Sequence, residues 1–150
     1  MKNFKLVRVR FSPGYSDMTG AGHSVCLKKD GTGAWTMEYS DREDHSAPTV
    51  VTTYEVPPGA AEDFEKFLNK KRVPALDRRP ESRDFATDYS PWGYGIEYEK
   101  TVAGKTVRCR CGLSQYRRYS KRDYALLNEL GKRFEALRGR KISETTEPDE

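Results

Sequence analysis

Apolar and polar positions alternate through the first third of the chain, and this pattern predicts strands before anything else. Residues 23–56 read as three consecutive antiparallel strands. Ser24 to Lys29 and Ala34 to Tyr39 flank an Asp30-Gly31 turn, and Asp-Gly between alternating runs is a strong short-range hairpin signal. Val25/Leu27 and Trp35/Met37/Tyr39 are the positions expected to be buried. The polar link Ser40 to Pro48 leads to a third, β-branched strand, Val50 to Val56. Ahead of this meander, Phe4 to Phe11 predicts an opening strand, with Lys5/Val7/Val9/Phe11 alternating against Phe4/Leu6/Arg8/Arg10. Ser12-Pro13-Gly14 stops it, and a Gly-rich connection follows.

After Pro57-Pro58-Gly59 the period changes to that of a helix. Ala60/Ala61, Phe64, Phe67 and Leu68 share one face, with acidic residues in the first turn and Lys70, Lys71 and Arg72 in the last. Residues 74–91 contain three prolines and many charges and predict an irregular crossing around the sheet edge. Trp92/Tyr94/Ile96/Tyr98 and Val107/Cys109/Cys111 then mark the inward positions of a second hairpin turning at Ala103-Gly104, with Arg108 and Arg110 outward. Ser120 and Asp123 form a capping box for a last helix, whose buried stripe is Tyr124, Leu127, Leu130, Phe134 and Leu137. Gly139 stands where a C-cap is expected. Runs of strands followed by helices predict an α+β domain. The expected build is an antiparallel sheet of N-terminal strand, three-strand meander and C-terminal hairpin, with two helices packed on one face. Residues 1–141 make the single domain, and 142–150 have nothing to bury and are expected to form a disordered acidic tail.

The run Gly31 to Tyr39, followed by Thr52 to Val56, a helix, a hairpin and a last helix, loosely resembles small bacterial α+β domains of unknown function. The likeness spans residues 4–138 in layout. It implies the fold and no activity, cofactor or ligand.

Composition narrows the class. Apolar residues make up 35 % of the 150-residue chain and charged residues 33 %. No apolar run approaches the ~20 residues that span a bilayer, and the first residues lack the apolar block of a signal peptide. With three cysteines, an odd number too small for a disulfide scaffold, a cytoplasmic protein is expected. Charge changes the picture further. Residues 100–142 carry 13 Lys/Arg against Asp123, Glu129 and Glu135, a net of +10, while residues 1–99 carry a net of −2.

The candidate chemistry follows from that basic third. Tyr116, Arg117, Arg118, Tyr119, Lys121 and Arg122 precede the last helix, Arg108 and Arg110 lie upstream, and Lys132 and Arg133 extend the charge along the helix. Guanidinium groups bind phosphates and carboxylates through paired donors, and tyrosine rings stack on bases. The expectation is a small non-catalytic binding protein that uses residues 105–141 against an anionic partner, either nucleic acid or an acidic or nucleic-acid-binding protein that it modulates or inhibits. No cofactor and no membrane partner is expected. The alternative is a metal-dependent phosphoester hydrolase built from His23, Asp41, Asp44 and His45, since carboxylates and imidazole suit Mg²⁺ or Mn²⁺. Cys109 and Cys111 are two apart on one strand, about 6.8 Å between Cα atoms, a separation that disfavours a mutual disulfide. They read as buried thiols.

Overall fold

The computed structural model describes residues 3–14, 22–44, 46–81 and 92–147. Seven strands form one antiparallel sheet: β1 (Lys5–Ser12), β2 (Gly22–Lys29), β3 (Trp35–Arg42), β4 (Thr49–Glu55), β5 (Gly93–Val102), β6 (Lys105–Ser114) and β7 (Lys141–Glu147). Their spatial order is β6-β5-β1-β2-β3-β4-β7, so the first strand lies inside the sheet and the last forms an edge. Two α-helices, α1 (Ala60–Lys70) and α2 (Lys121–Glu135), and a 3-10 helix (Val73–Arg78) complete the fold. No helix among the described residues is long and apolar enough to cross a membrane.

The register puts one row of apolar side chains across the sheet. Val9 pairs with Leu27 on one side and Ile96 on the other; Leu27 pairs with Met37, and Ile96 with Cys111. Val9, Leu27, Met37 and Ile96 have no solvent exposure. Phe64, Phe67 and Leu68 of α1 and Leu127, Leu130 and Phe134 of α2 join the same cluster. The rings of Phe64 and Phe134 approach to 5.9 Å between centroids, so side chains of the two helices touch within this cluster.

β1 does not keep the strict alternation that the sequence pattern predicts. Leu6 pairs with Tyr98, but Arg8 pairs with Glu97, so Val7 is an extra residue in the ladder. A bulge of this kind switches the inward parity. Phe4 and Leu6 are buried before it and Val9 after it, which reconciles two apolar registers within one strand.

The two hairpins close differently. In the first, the residue at positive φ is Gly33, at 88°, not Gly31. The Asp30 carboxylate accepts hydrogen bonds from the backbone N–H groups of Thr32 (2.8 Å) and Ala34 (3.2 Å), which holds the loop between Lys29 and Trp35. In the second, Ala103 (φ 51°) and Gly104 (φ 78°) make a two-residue turn with both residues left-handed, matching the twist of the flanking strands. Val107 lies on the apolar side of β6 but is 40 % exposed, beyond the helical cover.

The largest correction concerns the tail. Residues 142–147, expected to be disordered, belong to β7, which pairs antiparallel with β4 from Thr49↔Glu147 to Tyr54↔Lys141. Every residue of β7 is exposed. Apolar burial therefore does not hold it; the backbone ladder along an otherwise open edge does, helped by the β-branched Ile142, Thr145 and Thr146. Residues 148–150 lie outside the described residues.

Gly139 is the entry to that strand and not the left-handed cap that its position suggests. Its N–H donates to the Glu55 carbonyl at 2.8 Å, and the Glu55 N–H donates to the Arg140 carbonyl at 2.9 Å. A Cβ at residue 139 would stand 2.6 Å from that same Glu55 oxygen. Gly139→Ala must push the two backbones apart and is expected to destabilise the protein by about 1–3 kcal/mol. Urea unfolding of the variant checks this, with selective loss of β7 amide protection as the local signature.

Candidate anion-binding surface

The capping box of α2 anchors the site. Ser120 Oγ accepts from the Asp123 N–H at 3.1 Å, and Asp123 Oδ2 accepts from the Ser120 N–H at 3.0 Å. These bonds satisfy backbone donors that a helix start leaves open. The buried Asp123 carboxylate takes a second load from Arg79, whose Nε and Nη2 donate at 2.8 and 3.2 Å. The Arg79 guanidinium, with help from Ser120, holds the Asp123 carboxyl below its ordinary range against the opposing effect of burial.

Arg117 ties the same two segments together from the other side. Its Nε donates to the Gly112 carbonyl (3.0 Å), Nη1 to the Arg79 carbonyl (3.0 Å) and Nη2 to Asp77 Oδ1 (2.7 Å). The Arg118 N–H donates to the Pro80 carbonyl at 2.8 Å, and the backbones of Glu81 and Arg117 form an isolated antiparallel β-bridge. The segment 77–81 is thus strapped along 112–123. Arg79 thereby joins Arg117 and Asp123, 38 and 44 residues further along the chain, while Arg78 lines the neighbouring cleft.

These cations divide by task. Arg79 and Arg117 are consumed by structure. Arg78, Arg118, Lys121 and Arg122 are exposed, and none forms an ion pair among the described residues. Tyr119 belongs to the packing: its hydroxyl donates to the Ser114 carbonyl (3.0 Å) and accepts from the Ser114 N–H (3.2 Å), and its ring stacks on Trp92. Burial pushes its phenol above the ordinary value. Tyr116 is half-buried, and its N–H donates to Ser114 Oγ at 3.3 Å.

A cleft of about 620 Å³ opens beside this corner, between the 3-10 helix and the β5/β6 hairpin. Phe4, Tyr98 and Pro74 give it an apolar floor, and Arg72, Arg78 and Lys100 line it. Its carboxylate, Asp77, is already bound to Arg117 at 2.7 Å. Arg72 is held at a φ of 54°, an uncommon conformation for a long side chain, at the joint between α1 and the 3-10 helix.

The remaining predicted residues lie elsewhere. Arg108 and Arg110 point away from Cys109 and Cys111, to the opposite side of the sheet. There they converge with Arg8 on Glu97, at 3.7, 2.8 and 2.7 Å. Hydrogen bonds from Arg8 and then Arg110 hold the Glu97 carboxyl below its ordinary range. Arg133 bonds to Glu129 at 3.1 Å and covers the Phe67 ring, 4.5 Å from its centroid. Lys132 is exposed on α2. The predicted basic third is therefore several sets and not one surface, because strand alternation and helix geometry separate them. Sequence reading missed Arg72, Arg78 and Arg79. The Arg78-Arg79-Pro80 run, two cations at the end of a short helical turn, is the signal that could have marked two of them.

The alternative constellation is only partly assembled. His23 Nδ1 and Asp41 Oδ1 are 2.6 Å apart across the β2–β3 ladder. Asp44 instead caps its own link, accepting from the Ser46 N–H and hydroxyl and the Ala47 N–H. The Ser46 bonds hold its carboxyl below the ordinary range. His45 lies outside the described residues. No group of three or more His, Cys, Asp or Glu side chains that could hold a metal ion occurs among the described residues.

The Arg79–Asp123 pair sets an acid dependence. The folded carboxyl titrates below its unfolded value, so its stabilisation is complete above about pH 5 and is lost as pH falls through the depressed value. Asp123→Asn is expected to lower the melting temperature at pH 7 and to flatten its decline between about pH 5 and pH 2. Thermal scans across that window check this. No protein-family model, curated protein or solved structure matches the chain.

Proposed function

We propose that the protein is a non-catalytic cytoplasmic binding module in which both helices cover one face of the sheet. On this reading the corner where the 3-10 helix meets α2 engages an anionic macromolecule. The observation that supports it is the strapping of 77–81 onto 112–123, which commits Asp77 to Arg117 and Asp123 to Arg79 and leaves Arg78, Arg118, Lys121 and Arg122 exposed without ion pairs among the described residues. The exposed cations are left for an outside anion.

The phosphate backbone of a nucleic acid is the favoured partner. Arg72, Arg78 and Lys100 continue the cationic lining into the adjoining cleft, as a chain of regularly spaced charges requires. Tyr119 is committed to Trp92 and Ser114, so contact is through charge and not through base stacking on that ring. The three unpaired thiols accord with a reducing compartment.

The triple reversal Arg118→Glu, Lys121→Glu and Arg122→Glu is expected to weaken binding to single-stranded RNA more than tenfold at fixed salt. Four neutralised phosphates correspond to a slope of log affinity against log salt of about −3 for a single strand, and the reversal flattens it. Arg108→Glu, on the opposite side of the sheet, changes affinity little. Fluorescence anisotropy at several salt concentrations measures all three. Unchanged RNA binding by the triple variant overturns the nucleic-acid reading. A nuclease-resistant complex of fixed stoichiometry from native lysate, lost in the same variant, assigns the corner to an acidic protein instead.

A further inference from the structure

A second cavity, of about 810 Å³, lies between α2 and the end of the apolar sheet face. It is separate from the basic corner. Its walls are mainly aromatic: Phe11, Tyr39, Trp92, Tyr94 and Phe134, closed on the helix side by Leu127.

Tyr94 carries the inference. Its side chain belongs to the core, with 8 % of the residue exposed, yet its hydroxyl makes no hydrogen bond to any described residue. No buried side-chain oxygen or nitrogen among the described residues lacks a partner, so this hydroxyl is open to solvent and available to a ligand. Here the hydroxyl faces a cavity. Above it stands Gly131, in the middle of α2, where glycine costs about 1 kcal/mol relative to alanine. A Cβ at that position would lie 3.3 Å from Tyr94 Oη. The helix has a gap in its side-chain cover directly over an unused donor.

Charge at the cavity wall selects the ligand further. Lys132 is exposed and makes no ion pair among the described residues. Arg138 is fixed by two rings, 5.4 Å from the centroids of both Tyr39 and Tyr54. Glu135 is the carboxylate among the lining residues, so cations outnumber it.

We propose that this cavity binds a flat aromatic anion, its ring system held among Phe11, Trp92 and Phe134, an acceptor oxygen on the Tyr94 hydroxyl and its negative group at Lys132. Burial pushes the Tyr94 phenol up to about 12, so it is a donor throughout the neutral range. The cavity volume falls within the range of small-molecule sites, which combine apolar walls with a few placed polar groups.

The probe is 1-anilinonaphthalene-8-sulfonate, an aromatic ring system with one anionic group, titrated into the full-length protein and followed by fluorescence and calorimetry. One equivalent is expected to bind, more tightly than the uncharged N-phenyl-1-naphthylamine. Tyr94→Phe keeps the ring and removes one hydrogen bond; it is expected to weaken the sulfonate about 3–10-fold. Its melting temperature should match the wild type, because no protein contact is lost. Lys132→Ala should weaken the sulfonate and not the uncharged probe. Gly131→Leu should fill the gap and abolish binding of both. Because that variant could lose its fold, the Tyr94 and Lys132 variants decide the matter. Wild-type affinity in both, binding of several equivalents, or no saturable binding overturns the proposal.

Discussion

One row of side chains fixes this structure. Cys111, Ile96, Val9, Leu27, Met37 and Tyr54 stand side by side across six strands, each in register with the next. Because side chains alternate along a strand, this row decides the facing of every residue in those strands. A slip of one residue would carry a strand's apolar set into water and bring its polar or charged neighbours inside, such as Arg8 or Arg10 in β1, Lys28 in β2 and Glu97 in β5. Apolar burial at about 25 cal/mol per Å² makes such a slip costly. The helices are held by the same cluster.

The functional geometry follows from that row. Cys109 and Cys111 are directed toward the core side, so Arg108 and Arg110 must lie on the other, where Arg8 meets them around Glu97. The basic corner depends on the row less directly. Leu113 is buried next to the strand end, and the chain leaves β6 in a position where Arg117 reaches back to Gly112 and across to Asp77. Both cavities lie where helical cover ends, one beside the 3-10 helix and one beneath α2. Core geometry and the geometry of the candidate sites are thus one constraint seen from two sides.

Most of the fold was legible in the sequence, because its elements are signalled locally. The meander, the second hairpin and its Ala103-Gly104 turn, the start of α1 and the Ser120/Asp123 cap all rest on residues close together in the chain. What escaped depended on distant partners. The bulge at Val7 is fixed by β5, about 90 residues away, and strict alternation cannot show it. β7 buries nothing and exists because the edge of β4 is open to it. Gly139 owes its identity to the Glu55 carbonyl and not to a cap. The candidate site shows the same division. A basic run before α2 can be read from composition, whereas the arrival of Arg79 beside it, and the loss of Arg117 and Tyr119 to structure, are tertiary facts.

The bulge in β1 is where the row can be tested most directly, since it decides whether Val7 or Val9 enters the core. Methyl-resolved nuclear Overhauser spectroscopy on a sample labelled at Val, Leu, Ile and Met methyls reads this outcome. The account predicts that Val9 methyls show cross-peaks to Leu27 and Ile96, that Leu27 connects onward to Met37, and that Val7 is absent from the network. Cross-peaks from Val7 to Leu27 and Ile96, with Val9 outside, would contradict it and place β1 one residue out of register.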